Sequence, residues 1–309
     1  MVRYIGRRLI ALLPILFGIT LVVFMLVHIT PGDPARTYLG IHATDESLKA
    51  LRHAWGLDQP IPLQYLIYLS GLVRGDLGQS LYYGTSVRSL IAGSLVPTLF
   101  LLLLSSLLAA FVSVILALIA ATKPETLVDH TIRAIPTVGL AMPTFWVGTI
   151  LILIFGVHFG ILPVGGYGTD IKSHLESLIL PSVAIAVAIV PVLVRSLRAA
   201  LLEALNMDYV AFARAKGLRP SSVLIRYALR NASIPAVNIL GVTIGFLVGQ
   251  TLVIENVFAL PGLGRLMIQA IFKRDFPVVQ GIALVFAILT MIVFLLTDVA
   301  CDLLDTRAA

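Results

Sequence analysis

Residues 208–235 read DYVAFARAKGLRPSSVLIRYALRNASIP, a basic island punctuated by alanine and glycine. It lies between two hydrophobic stretches long enough to cross a membrane. The island carries its own helix punctuation. Asn206 or Asp208 is expected to accept the first free amide hydrogens as an N-cap. Arg214 and Lys216 fall in the last turn, where cations suit the negative end of the helix dipole. Gly217 takes the left-handed C-terminal position, and Pro220 prevents continuation. Ser221 or Ser222 starts a second helix running to Asn231, before Pro235 opens the next hydrophobic stretch. The small residues Ala211, Ala213, Ala215 and Gly217 leave room for a partner's backbone. Two readings are open at this point: a helix that docks into another protein, or a positive loop held at lipid headgroups. Only the first accounts for the ordered punctuation.

Composition sets the solvent. Hydrophobic residues make up 59% of the 309 positions and charged residues 12%, against about 25% charged in ordinary soluble domains. The chain is an all-α integral membrane protein in contact with lipid. Its formal charge of +6 does not point to nucleic acid, because no aromatic residues interleave with a basic stripe. Cys301 is the only cysteine, so no intrachain disulfide or thiolate cluster is possible. The histidines (His28, His42, His53, His130, His158, His174) lack ligand spacing, so no metal site is expected. No GxxxxGK[ST] loop and no GxSxG elbow occurs. The sequence therefore offers no catalytic residues, no ATPase site and no cofactor site of its own.

A spanning helix needs about 20 mainly apolar residues. Six stretches qualify, at 9–29, 97–121, 136–157, 178–197, 236–256 and 278–300. Arg3, Arg7 and Arg8 before the first stretch resemble a signal peptide, but the run is too long and no A-x-A-like site follows. It is expected to stay as an anchor. With the N-terminus inside, cytoplasmic parts hold thirteen of the 22 Lys and Arg residues, seven of them between Arg195 and Arg230. The positive-inside rule then places residues 1–8, the loop 198–235 and residues 301–309 in the cytoplasm. Residues 97–300 form a five-helix core that includes that loop, and 30–96 form a large external segment. Within the external segment Leu48, Leu51 and Trp55 recur at helical spacing after Thr44, with Gly56 as a stop. A second amphipathic stretch runs from Pro62 to Val73 and ends near Gly75.

Polar residues are few inside the spans. Thr20, Ser105, Ser106, Ser113, Asn238, Thr243, Gln250 and Thr290 are expected to bond helix to helix. Glu255 is expected at the outer end of the fifth span, where water removes most of the cost of its charge. Gly241, Gly245 and Gly249 form a doubled GxxxG that lines one helix face and permits close contact. The contact is either within this chain or with a second membrane subunit. Pro143 and Pro191 are expected to interrupt spans.

Laid out in this order, the chain resembles the permease subunits of binding-protein-dependent ABC importers, and within them the peptide/nickel branch. The phrases that carry the resemblance are RYIGRRLIALLPILFGITLVVFMLVHITPGDPA from Arg3, WGLDQPIPLQYL from Trp55, RGDLGQSL from Arg74, DYVAFARAKGL from Asp208, and ENVFALPGLGRL…RDFPVVQG from Glu255. The resemblance identifies the cytoplasmic phrase with the family's EAA loop. The family's Glu is replaced by Ala211, while Ala213 and Gly217 match, and the ARAKG form is common in the peptide branch. The resemblance implies coupling and ATPase docking by Asp208, Tyr209, Ala211, Phe212, Ala213, Arg214, Ala215, Lys216, Gly217 and Leu218. It implies a second permease subunit, two cytoplasmic ATPase subunits that bind ATP and Mg, and an external substrate-binding protein. The implied activity is import of small peptides across the cytoplasmic membrane of a prokaryote. The competing class is a self-contained ion-driven transporter or channel, which would show an internal repeat with broken midplane helices or a buried acid deep in a span.

Overall fold

The helical periodicity of the sequence carries through nearly the whole chain. The computed structural model describes residues 2–29, 34–39 and 43–304, without the side chains of 2–12, 27, 34, 37 and 38. The helices are α1 (Val2–Ile29), α2 (Pro34–Leu39), α3 (Asp45–Ala54), α4 (Ile61–Val73), α5 (Val87–Thr122), α6 (Leu127–Leu140) and α7 (Thr144–Leu151). They continue with α8 (Ile171–Leu205), α9 (Asp208–Ala215), α10 (Pro220–Ser222), α11 (Arg230–Val257), α12 (Leu263–Phe272) and α13 (Phe276–Leu304). Wider π-helical turns at Ile152–His158 and Val223–Leu229 extend α7 and join α10 to α11. Among the described residues the only strand-like pairing is one isolated bridge, Gln79 to Ser86.

Four helical runs are long and apolar enough to span: Val87–Thr122, Ile171–Leu205, Pro220–Val257 and Phe276–Leu304. They overrun the expected spans, because hydropathy marks only the apolar middle while the backbone stays helical into polar flanks. A further pair, Leu127–Leu140 and Thr144–His158, meets at a bend of 99°, so the stretch expected at 136–157 is interrupted, as expected, near Pro143. Pro143 is the cause: it sits at the N-cap of α7 with φ −59°, and it disfavours helical geometry at the residue before it. Pro191 does not interrupt; it lies inside α8. The expected 9–29 span falls inside the continuous helix α1, of which Leu13–Leu26 is the described apolar part. The cytoplasmic segment expected at 1–8 is helical from Val2. Of the expected tail, 305–309 lie outside the described residues.

The chain divides into two compact units, 1–96 with 262–289 and 97–261 with 290–309. Two of the three boundaries fall inside helices, at Pro97 of α5 and Thr290 of α13, and the third falls between α11 and α12. In the first unit α4 packs on α1 through aromatic contacts: Phe24 and Tyr65 have ring centroids 5.2 Å apart, and the hydroxyls of Thr20 and Tyr65 lie 2.9 Å apart. Val87, Ile91, Leu263, Leu266, Ala270, Val278 and Ile282 form its buried core. The two short helices expected within residues 30–96 form as α3 and α4, and α2 adds a third that the pattern did not announce. Thr44 and Ser47 form a reciprocal capping box on α3, and α4 ends one residue before Arg74.

In the second unit α8 is the buried axis. Of its most apolar stretch, 72% is buried, and α6, α7 and α11 pack around it. Gly139 lets α6 approach α8 closely, since a Cβ there would lie 2.7 Å from Val187 Cγ1. Most polar side chains in the spans turn back on their own helix. Ser105, Ser106 and Thr243 donate to the carbonyls of Leu101, Leu102 and Ile239. The expected helix-to-helix bonding is corrected for these three: a hydroxyl satisfied one turn back needs no neighbour. Thr20 does reach across helices, to Tyr65.

Candidate functional site

The start of the basic island folds into α9, an eight-residue helix separated from α8 by Asn206 and Met207. Its start differs from expectation. The extended N-cap residue is Met207, with no side-chain cap bond, and Asp208 is the first helical residue. Asn206 is already the C-cap of α8; α8 stays helical through Leu205 and uses up the residue that would have capped α9. Asp208 still places a carboxylate at the positive end of the helix.

The end of α9 forms as the residues dictate. Gly217 has φ +76°, where an L side chain is strained. Leu218 N–H donates to Ala213 O at 3.4 Å and Gly217 N–H donates to Arg214 O at 2.9 Å. These two bonds are the Schellman pattern, which satisfies carbonyls the helix leaves open. Pro220 occupies the first position of α10, where its missing N–H costs nothing. The second helix does not stop at Asn231. Pro220–Val257 is one helical run, with Pro235 inside α11 rather than opening a new segment.

Helical geometry divides the predicted docking residues between two faces. Val210 and Ala213 are buried against Val223, with Leu205 and Tyr209 packed beside them. Asp208, Ala211, Phe212 and Ala215 lie on the exposed side, at the i, i+3, i+4 and i+7 spacing of one face. Arg214, Lys216, Gly217 and Leu218 are exposed as well. Phe212 is 63% exposed, and Lys216 Nζ sits 4.5 Å from its ring centroid. The expectation that Ala213 offers a small surface to a partner is corrected: residues two apart on a helix point in different directions, and Ala213 points inward.

The glycines of the fifth span face α13 of the same chain at two of three positions. A Cβ on Gly241 would lie 2.0 Å from Thr297 Oγ1, and one on Gly245 would lie 2.9 Å from Phe294 Cζ. Gly249 has nothing within 4 Å.

Three buried acids tie together parts of the chain far apart in sequence. Asp129 is fully buried and receives Arg198 Nε at 2.6 Å, with Arg198 Nη2 on its other oxygen. Glu125 N–H donates to the same carboxylate at 3.0 Å. This bidentate pair ties α6, and the loop after α5, to α8 close to where α9 departs. Glu255 is also fully buried and accepts from Thr98 Oγ1 at 2.6 Å. The expectation of a water-exposed Glu255 at a span end is corrected, because α5 covers it. Asp275 is buried and accepts from Ser80 Oγ, from Leu81 N–H at 3.1 Å and from Tyr82 N–H at 3.2 Å. It thus holds the turn 80–86 onto the start of α13.

The family model for the inner membrane component of binding-protein-dependent transport systems matches residues 113–309, and the model for its N-terminal part matches residues 1–86. The chain belongs to this family. An oligopeptide transport system permease protein of Bacillus subtilis is 36% identical over 99% of both chains. A glutathione transport system permease protein of Escherichia coli is 38% identical over 97% of this chain and 96% of its own. In fold, an inward-facing methionine ABC transporter matches 70% of this chain and 96% of its own with a TM-score of 0.58 at 20% identity. An amino acid ABC transporter matches with a TM-score of 0.51 at 17% identity. The chain is an ABC importer permease of the peptide/nickel branch and a multi-pass inner-membrane protein.

The structure gives the phrases of this permease physical jobs. RGDLGQSL and RDFPVVQG, nearly 200 residues apart, meet where Ser80 bonds Asp275. ENVFALP holds Phe258, fully buried, against which Gly148 of α7 and Gly165 pack too closely for a Cβ. Asp129 and Arg198 were missed by sequence reasoning. They are 69 residues apart and lie in no phrase, and an acid three residues after Thr126 reads simply as a first-turn helix residue.

Proposed function

We propose that this permease imports small peptides, dipeptides or oligopeptides, using ATP hydrolysed by partner subunits and coupled through α9. Its assembly would comprise a second permease subunit, two cytoplasmic ATPase subunits holding ATP and Mg, and an external substrate-binding protein. The peptide cargo is supported by the names of the relatives, and both termini in the cytoplasm by the distribution of Lys and Arg.

One observation carries the coupling reading. The exposed face of α9 stands on a helix whose other face is locked between two spanning runs. Val210 and Ala213 press on Val223 at the start of the 220–257 run, and only Asn206 and Met207 separate α9 from α8. A force on Phe212 therefore reaches α8 and α11 through packed side chains rather than through a slack loop. A switch between inward and outward openings needs contacts that differ between the two states, and this lever supplies them at one end. The test is retention of the ATPase subunits on the purified complex. Phe212→Asp is expected to release them while the chain still inserts and folds. Full retention by that variant, or ATP hydrolysis by the isolated chain, contradicts the reading.

A further inference from the structure

A second charged site lies between α6 and α8, outside the proposed docking face. A cavity of about 310 Å³ is lined by Arg133, Arg195 and Arg198 over an apolar floor of Ile132, Pro191 and Val194. The three guanidinium groups are not equally occupied. Arg198 is committed to Asp129 and also lies 3.5 Å from Glu125 Oε1. Arg133 donates Nη2–H to His130 Nδ1 at 2.6 Å, but its buried Nε–H reaches no acceptor. The Asp129 Oδ1 oxygen is 3.6 Å from that nitrogen, beyond hydrogen-bond range. Arg195 makes no hydrogen bond or ion pair among the described residues. Against three cations stand two carboxylates, Asp129 and Glu125, which leaves one positive charge in excess at the cavity.

We propose that this cavity binds the phosphate of an anionic phospholipid headgroup. An anion meets the charge excess, and a planar guanidinium fork matches phosphate oxygens. No aromatic ring lines the cavity, so a nucleotide base finds no stacking surface. A zwitterion, whether peptide or phosphatidylcholine, brings its own ammonium group beside the unpaired arginines. Acyl chains have a path on the same helix, since Leu127, Val128, Ile135 and Val138 of α6 are exposed. Basic pockets between spanning helices at the cytoplasmic side suit such headgroups. The inference rests on the inner-membrane assignment and not on coupling by α9, because lipid retention requires neither ATP nor transport.

The experiment is native mass spectrometry of the delipidated full-length permease with its partner subunits, titrated with phosphatidylglycerol or phosphatidylcholine. Phosphatidylglycerol is expected to be retained preferentially. Arg195→Gln, which leaves the Asp129–Arg198 pair untouched, is expected to weaken it about fivefold, and Arg133→Gln similarly. Arg219→Gln, an exposed cytoplasmic change outside the cavity, is expected to leave retention unchanged. Equal retention of both lipids, or unchanged binding in Arg195→Gln, overturns the proposal. So does displacement by millimolar inorganic phosphate, which would make this a free-anion site, or by free trialanine, which would make it a cargo site.

Discussion

Asp129 and Asp275 are both fully buried carboxylates, yet they are neutralised in opposite ways. Asp129 meets a guanidinium in a bidentate pair. Among the described residues Asp275 meets no cation, only a hydroxyl and two backbone N–H groups of one turn. The difference teaches what each can lose. Removing one member of an ion pair strands the other charge in a poorly solvated place. Removing a carboxylate that collects dipoles releases a turn whose N–H groups then turn to water. The first site clamps α6 to α8 near α9, and the second shapes a local loop.

The contrast breaks most easily at Asp129. Asp129→Ala is expected to destabilise the chain by about 3–5 kcal/mol, read as a lowered unfolding midpoint in detergent. The double variant Asp129→Leu with Arg198→Met should recover most of that loss, since no charge is left stranded. If the double variant is no better than the single one, the stranded-charge account fails. Asp275→Ala should cost less, roughly 1–3 kcal/mol. Its signature is local: faster amide exchange at residues 80–86 with the region around α9 unchanged. An effect at Asp275 as large as that at Asp129 would erase the distinction.

The smallest effect belongs to an exposed pair at the end of α3. His53 Nδ1 lies 2.7 Å from Asp58 Oδ2. The hydrogen bond to Asp58 raises the His53 pKa, and the same bond lowers that of Asp58. His53 contributes order that is fully present below its unfolded pKa of roughly 6.5 and is lost as pH rises through its raised folded value. Asp58 contributes above its unfolded value and loses it as pH falls through its lowered one. Protection of the turn at 55–58 should therefore be greatest between those limits, and His53→Gln should flatten the profile. An identical pH profile in the variant would show that the pair orders nothing.

What the sequence disclosed and what it hid follow the range of the forces. Gly217, Thr44 and the end of α4 were legible because capping acts over a few residues. The exposed face of α9 was half legible: the residues were named, but only the helix turn separates outward Phe212 from inward Ala213. Pro143 was read as a break and is one, whereas Pro191 was read the same way and lies inside the continuous, largely buried helix α8. Asp129–Arg198 and Ser80–Asp275 were invisible. Their partners are far apart in the chain, and no local pattern announces a bond that only folding creates.

The central claim is that α9 transmits force from ATP hydrolysis to the spans, and one variant isolates it. Gly217→Val forces a β-branched residue into φ +76°, which costs roughly 1–2 kcal/mol or more and redirects the chain leaving the lever. It leaves every spanning residue and the Asp129–Arg198 clamp in place. The measurement is peptide uptake per ATP hydrolysed by the complete importer in proteoliposomes, with ATPase retention checked in the same preparation. The account predicts retained subunits, continued hydrolysis and uptake per ATP reduced several-fold. Wild-type uptake per ATP in that variant would contradict it.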